Sequence, residues 1–392
     1  MFALLLGACG NHPGGRGAAG SEDNGTKDTV IATDLTTVAA HFADSVLNTL
    51  TLEERVGQCF MPSVYSSADP YTLEYLQKLI DDGHIGGIVL MQGDTASARK
   101  ISEVSAQAKI PLFVSIDAEW GLGMRLRDAQ TFPRNGIIRK DAEDTYLYDY
   151  GREVGRECKQ SGINMVLGPV VDVSPVNRGV IGSRAFGDDV NQVSDMGVAY
   201  AKGLESAGII SMAKHFPGHG GSVTDSHIGA AVINKGISTL DSIDFMPFKQ
   251  YINSGLTGIM AGHINVPAIN PGGEPATVSY DILTTLLRDE MGFKGLVLTD
   301  AFSMGGVKGF SAYQALEAGA DIVLCPERIH KEMGIVVEKV RNGEMSEEII
   351  NDRCRRILFY KAIFGLWNRG KSRFGIDDTP EEVTQEIIKN LS

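Results

Sequence analysis

The sequence predicts an α/β protein built as a single (β/α)8 barrel of the TIM type, a cylinder of eight parallel strands inside a ring of helices. Three observations predict it. Short apolar, β-branched runs alternate along the chain with amphipathic segments of helical period. There are eight such runs. The runs are near-continuously apolar, as strands covered on both faces are, and do not alternate. The rival architecture is a doubly wound open sheet, but the Gly-x-Gly-x-x-Gly turn expected after its first strand is missing.

Taken in order, residues 1–9 read Met-Phe-Ala-Leu-Leu-Leu-Gly-Ala-Cys. Leu6-Gly7-Ala8-Cys9 resembles a bacterial lipobox, a signal cut before a cysteine that then carries lipid. The rival reading is an apolar N-terminus without processing. Residues 10–35, rich in Gly and polar side chains, are expected to be a disordered tether. The barrel domain is expected over 36–392. Helical periodicity runs from near Thr37 to Leu50, and Thr51-Leu-Glu-Glu54 fits a capping box for a short second helix.

The predicted strands follow at Val56–Met61, Gly87–Met91, Leu112–Asp117, Asn164–Val171, Ile209–Lys214, Gly258–His263, Leu296–Asp300 and Asp321–Cys325. The predicted helices between and after them are Tyr71–Asp82, Thr95–Ala108, Ala142–Ser161, Asn191–Ala207, Ser238–Ser254, Tyr280–Met291, Ser311–Ala318, His330–Arg341 and Ser346–Phe364.

Composition narrows the function. With 43% hydrophobic and 22% charged residues the chain resembles ordinary globular proteins that bury a large core. A net charge of -13 without a basic cluster argues against nucleic acid as a partner, since phosphate binding needs concentrated positive charge. No apolar run approaches the roughly 20 residues of a membrane-crossing helix. The five cysteines form no Cys-x-x-Cys pair, and Cys59 and Cys325 lie in apolar runs as small core residues.

The chemistry gathers where a barrel keeps its active site, at the C-terminal strand ends. The third run ends in Asp117-Ala-Glu-Trp-Gly-Leu-Gly-Met-Arg125 and the fourth in Asp172, followed by Ile181-Gly-Ser-Arg-Ala-Phe-Gly187. The fifth runs into Lys214-His-Phe-Pro-Gly-His-Gly-Gly-Ser-Val-Thr-Asp-Ser-His227, the sixth ends in His263 and the seventh in Thr299-Asp300-Ala-Phe-Ser-Met304. A single strand-end Asp is often a helix cap. Five polar strand ends together are not explained by capping. A zinc helix is excluded, because Pro217 and Gly218 separate His215 from His219, and the Gly-x-x-x-x-Gly-Lys of a phosphate loop is missing. No metal and no organic cofactor is expected.

These stretches, in this order, resemble glycoside hydrolase family 3 and within it the β-N-acetylglucosaminidase branch. The resemblance rests on Asp117-x-Glu-x-Gly-x-x-x-Arg125, Gly-Ser-Arg184-Ala-Phe-Gly, the Lys214–His227 stretch and Thr-Asp300-Ala-Phe-Ser-Met. It implies Asp300 as nucleophile and His227 as general acid/base, polarised by Asp225. It implies Asp117, Arg125, Arg184, Lys214 and His215 as the residues that bind the hydroxyls and carbonyl of N-acetylglucosamine.

Residue chemistry agrees with those roles. Retaining glycosidases need one group to attack the anomeric carbon and one to pass a proton to the leaving oxygen. Imidazole, titrating near neutrality, can give and retrieve that proton. Asp225 and His227, two apart, project the same way in an extended segment, and a carboxylate beside an imidazole fixes its tautomer. His219 is read as structural, His263 as a support behind the site and Asp172 as a loop pin. The family's Asp-Thr after Pro-Gly-His-Gly is Gly221-Ser222 here, and its Glu-Gly-Gly-Arg turn is Glu119-Trp-Gly-Leu-Gly. Trp120 therefore either stacks on a sugar or packs on the barrel.

The expected activity is exo-hydrolysis of terminal N-acetylglucosamine from muropeptides or chito-oligosaccharides, by a monomer lipid-anchored in the bacterial envelope or secreted to the periplasm. The rivals are a family 3 β-glucosidase or β-xylosidase, an N-acetylglucosaminide phosphorylase, and an inactive glycan-binding lipoprotein.

Overall fold

The computed structural model describes residues 25–367 apart from 139–143, 178 and 223–230. The expected lipid-bearing Cys9 lies outside the described residues. The first element is α1 (Gly25–Leu47), so the part of the expected tether from residue 25 onward is helical. Next comes α2 (Leu52–Gln58). Its capping box forms as the sequence predicts. The Glu54 amide donates to Thr51 Oγ1 at 3.2 Å, and the Thr51 amide donates to Glu54 Oε2 at 2.9 Å.

That cap commits the chain to helix as far as Gln58, and this corrects the first predicted strand. Val56 is helical. The strand begins as β1 (Phe60–Met61), pauses at Pro62, which has no N–H to give to a ladder, and resumes as β2 (Ser63–Ser66). The remaining strands are β3 (Gly87–Gly93), β4 (Phe113–Ile116), β5 (Met165–Val166), β6 (Ile210–Phe216), β7 (Ala231–Val232), β8 (Gly258–Ala261), β9 (Ile264–Asn265), β10 (Leu296–Thr299) and β11 (Val323–Leu324).

All the pairings are parallel. One sheet runs β2-β3-β4-β5-β6-β8-β10. β1 pairs with β11 through Phe60↔Val323 and Met61↔Leu324, and β10 reaches the same segment through a Leu298↔Ile322 bridge. Since β1 and β2 are one run interrupted at Pro62, the pairing returns to its starting strand. The fold is an α/β, TIM-barrel-like one. β7 and β9 make a separate parallel ribbon outside it.

The helices on the outside are α3 (Pro70–Gly83), α4 (Thr95–Ser105), α5 (Asp144–Gln160), α6 (Val190–Ser206), α7 (Ile237–Thr239), α8 (Met246–Asn253), α9 (Ala312–Ala318), α10 (Ile329–Arg341) and α11 (Glu347–Ile363). Asp69, Asp94 and Asp189 each accept a backbone N–H at a helix start, satisfying donors that would otherwise be orphaned. Two segments expected as plain α-helix are wound differently. Leu240–Asp244 and Asp281–Glu290 are π-helical.

The end of the barrel away from the C-terminal strand ends holds buried ionisable groups. Asp321, before β11, accepts Arg288 Nη2 at 2.7 Å and pairs with Arg356. The Lys361 ammonium of α11 is fully buried, donating to Gln58 Oε1 at 2.7 Å and lying 5.1 Å from the Phe113 ring centroid.

Candidate active site

The C-terminal ends of the strands bring together side chains far apart in sequence. Asp117 and Glu119 follow β4, Asp172 follows β5, Lys214 and His215 lie on β6, His263 follows β8 and Asp300 follows β10. On β6 the register against β8 slips, with Lys214 opposite Met260 but Phe216 opposite Ala261. A bulge of this kind turns side chains that would alternate. Lys214 and His215 both bond into the same cluster as a result.

The cluster is a ladder of alternating charge. Arg125 Nη2 meets Asp117 Oδ2 at 2.5 Å, and Lys214 Nζ meets Asp117 Oδ1 at 2.8 Å. The same ammonium lies 2.8 Å from Glu119 Oε1. Arg184 then grips Glu119 with two parallel bonds, Nε to Oε2 at 2.9 Å and Nη2 to Oε1 at 2.7 Å. The last rung is a 3.4 Å contact from Arg184 Nη2 to His215 Nε2, while Asp172 Oδ2 holds His215 Nδ1 at 2.7 Å.

Burial pushes the Glu119 carboxyl up, yet Lys214 and Arg184 outweigh it and hold the group far below the usual carboxylate range. Burial likewise raises Asp117, but Lys214 and Arg125 pull it below its ordinary value. Burial favours the neutral amine of Lys214, and the two carboxylates reverse this and keep it charged. Asp117, Glu119 and Lys214 are therefore all charged at neutral pH.

Two residues of the cluster, Glu119 and Asp172, are not among the site residues that the sequence implies. Glu119 was visible in the motif, two residues from Asp117 and so on the same side of an extended strand end. Asp172 does more than pin a loop. Its Oδ1 accepts the amides of His215 at 3.2 Å and His219 at 2.7 Å, while its other oxygen holds the His215 ring. His219 is buried and packs edge-on against His215 at 5.8 Å.

Asp300 sits beside this ladder, its amide donating to the Ala261 carbonyl at 2.7 Å. Oδ1 accepts the Ala301 N–H at 2.8 Å, the one hydrogen bond to this carboxyl among the described residues. Burial raises it, but His215, His263, the Ala301 amide and Lys214 together hold it below its usual value, so it is ionised. His263 is fixed behind it, Nε2 at 2.9 Å from the Ala301 carbonyl and Nδ1 at 2.9 Å from Thr277 Oγ1.

The stretch after β6 is shaped by glycine. Gly218 has φ 125, a conformation that side chains resist, and a Cβ on Gly220 would stand 1.9 Å from the Val173 carbonyl oxygen. A Cβ on Gly221 would meet Lys235 Cε at 2.8 Å. Lys235 instead reaches Asp244, its Nζ 2.7 Å from Oδ2. Asp225 and His227 lie outside the described residues. Among the described residues no group of three or more His, Cys, Asp or Glu is arranged to hold a metal ion, and no helix is long and apolar enough to cross a membrane.

The chain is similar to known proteins in sequence and in fold. A protein of Cellulomonas fimi named beta-N-acetylglucosaminidase/beta-glucosidase is 30% identical over 330 residues, covering 80% of this chain and 58% of that one. A beta-hexosaminidase A of Pseudoalteromonas piscicida is 31% identical over 327 residues, 73% of this chain and 55% of the relative. The chain thus spans little more than half the length of these two relatives. A solved family 3 beta-N-acetylglucosaminidase of Paenibacillus sp. str. FPU-7 superposes with a TM-score of 0.78 at 30% identity, covering 87% of this chain and 68% of that one. Residues 51–359 match the glycosyl hydrolase family 3 N-terminal domain, and the chain belongs to that family.

Proposed function

We propose that the protein is an exo-acting β-N-acetylglucosaminidase that works by retaining double displacement. The observation that carries this reading is an ionised carboxylate, Asp300, at the end of β10 beside a ladder of fixed charges. The names of the two relatives and of the Paenibacillus structure support the sugar. Asp117, Arg125, Arg184, Lys214 and His215 bind the N-acetylglucosamine in rigid, oppositely charged pairs that need no reordering when it arrives. Asp300 attacks the anomeric carbon, forming a covalent glycosyl-enzyme as the bond to the leaving oxygen breaks. His227, polarised by Asp225, protonates that oxygen, then takes a proton from the water that releases the sugar.

The barrel acts as a single catalytic domain on terminal N-acetylglucosamine of muropeptides or chito-oligosaccharides, as a monomer. Cys9 carries a lipid that ties it to the bacterial envelope, which the mass of the processed protein from its host would test.

The deciding experiment is hydrolysis of an aryl β-N-acetylglucosaminide. Asp300→Asn abolishes it, and His227→Ala lowers it by about 10²–10⁴-fold, least for the best leaving groups. Normal turnover by Asp300→Asn would remove the assignment. A wild type that releases no sugar would favour a glycan-binding protein, and sugar 1-phosphate formed on adding phosphate would mark a phosphorylase.

A further inference from the structure

The rim carries a second arrangement that this chemistry leaves unused. Trp120 directly follows Glu119, and Ser183 directly precedes Arg184, so both stand on the two loops that the Glu119–Arg184 pair ties together. Over the half-buried indole lies the guanidinium of Arg134, 4.5 Å from the ring centroid. Arg134 Nη1 also donates to Ser183 Oγ at 3.2 Å, and the neighbouring Asn135 donates from Nδ2 to the Arg184 carbonyl at 2.7 Å. The Arg134 charge is thus held against the chain neighbours of Glu119 and Arg184. Surface arginines usually wander, at an entropic cost to anything they bind.

The charge also differs from its neighbours in having no acid. Arg125 and Arg184 are each paired with a carboxylate, whereas Arg134 is exposed and pairs with none among the described residues. Apolar surface borders it. Ile137 is 64% exposed and Val176 is 39% exposed, and a Cβ on Gly136 would stand 3.0 Å from the Val176 side chain, so the two segments abut. A flat aromatic ring, two aliphatic side chains and one immobilised, uncompensated guanidinium suit a ligand that is part ring and part anion.

We propose that Trp120 and Arg134 form the subsite for the leaving group, and that it selects a sugar ring bearing a carboxylate. The inference rests on the proposed function, which sets the bound sugar against Arg184 and so its leaving group near the two loops that the Glu119–Arg184 pair joins. The ring lies against the indole and the aliphatic side chains. Its carboxylate takes two parallel N–H bonds from Arg134.

The test uses two disaccharides with the same bond to be cut, N-acetylglucosamine β-1,4-linked to N-acetylglucosamine and to N-acetylmuramic acid. They differ by one carboxylate-bearing ether. Wild type is expected to favour the acidic disaccharide in kcat/KM by about tenfold, the worth of one charge-assisted pair. Arg134→Met erases that ratio, Arg134→Lys keeps part of it, and Trp120→Ala slows both substrates. Added salt shrinks the wild-type ratio and leaves that of Arg134→Met unchanged. A wild type that cuts the two equally well would overturn the proposal, as would an unchanged ratio in Arg134→Met. Neither result touches the proposed function, which fails separately if wild type releases N-acetylglucosamine from neither disaccharide nor from the aryl glycoside.

Discussion

Glu119 is the residue on which the cluster turns, although it neither attacks nor protonates. Replacing it by Gln leaves Lys214 with one carboxylate of its two and takes from Arg184 the one it pairs with among the described residues, in a place where stranding a charge costs about 3–5 kcal/mol. Glu119→Gln is expected to lower the unfolding midpoint clearly and to raise KM for an aryl N-acetylglucosaminide more than tenfold, with a smaller fall in kcat. Steady-state kinetics and thermal melts check both. At this scale much of the cluster was legible. The motif residues Asp117, Arg125, Arg184, Lys214 and His215 lie in one network with Asp300 beside it. Glu119 and Asp172 were left out of the expected site because a motif names residue types at a spacing, and only geometry says which carboxylate clasps which cation.

At the scale of elements, the apolar period located the eight barrel strands, began the first too early, carried the fourth past Val166, and gave no sign of the β7–β9 ribbon. A capping box at Thr51 and a Pro at 62 compete with the apolar run between them, and the cap won as far as Gln58. The π-winding of Asp281–Glu290 has no signature in residue period, since its apolar face differs little from that of an α-helix. Helix α5 offers a titration test. Burial and the neighbouring Glu153 push Glu157 up to about 8, with Arg156 opposing, and Glu157 Oε2 is buried without a partner. The unfolded chain releases that proton near pH 4.5, so the folded state holds it more tightly between about 4.5 and 8. Its contribution is complete below that window and is lost as pH rises through it. Glu157→Gln is expected to stabilise the protein by on the order of 2 kcal/mol at pH 8.5, with the gain vanishing near pH 4. Denaturant unfolding at the two pH values checks it. In the loop after β6, Gly220→Ala sets a methyl group against the Val173 carbonyl and is expected to cost activity together with stability.

For the whole molecule, closure is the property least visible in sequence. It depends on a strand at residue 60 meeting one at residue 323, and the sequence suggested it only by the count of eight. The same region bears a second titration of opposite sign. Burial lowers Lys361 to about 7, against 10.5 in the unfolded chain, so the cost of burying it is complete below pH 7 and fades as pH climbs toward 10.5. Lys361→Met is expected to raise the unfolding midpoint most at pH 6 and by less at each step toward pH 10. A gain independent of pH would mean that the ammonium is not desolvated.

The charge ladder has a consequence for how such a site can change through descent. It holds Arg125, Lys214 and Arg184 against Asp117 and Glu119, with the carboxylates of Asp172 and Asp300 beside them. A single neutralising substitution strands the charge it faced, so a lineage cannot alter one rung and wait. Change must come in compensating pairs. The rim beyond it, where Arg134 stands outside the ion pairs, is free to drift one residue at a time. Recognition of the departing group can thus diversify among relatives while the grip on the bound sugar stays locked.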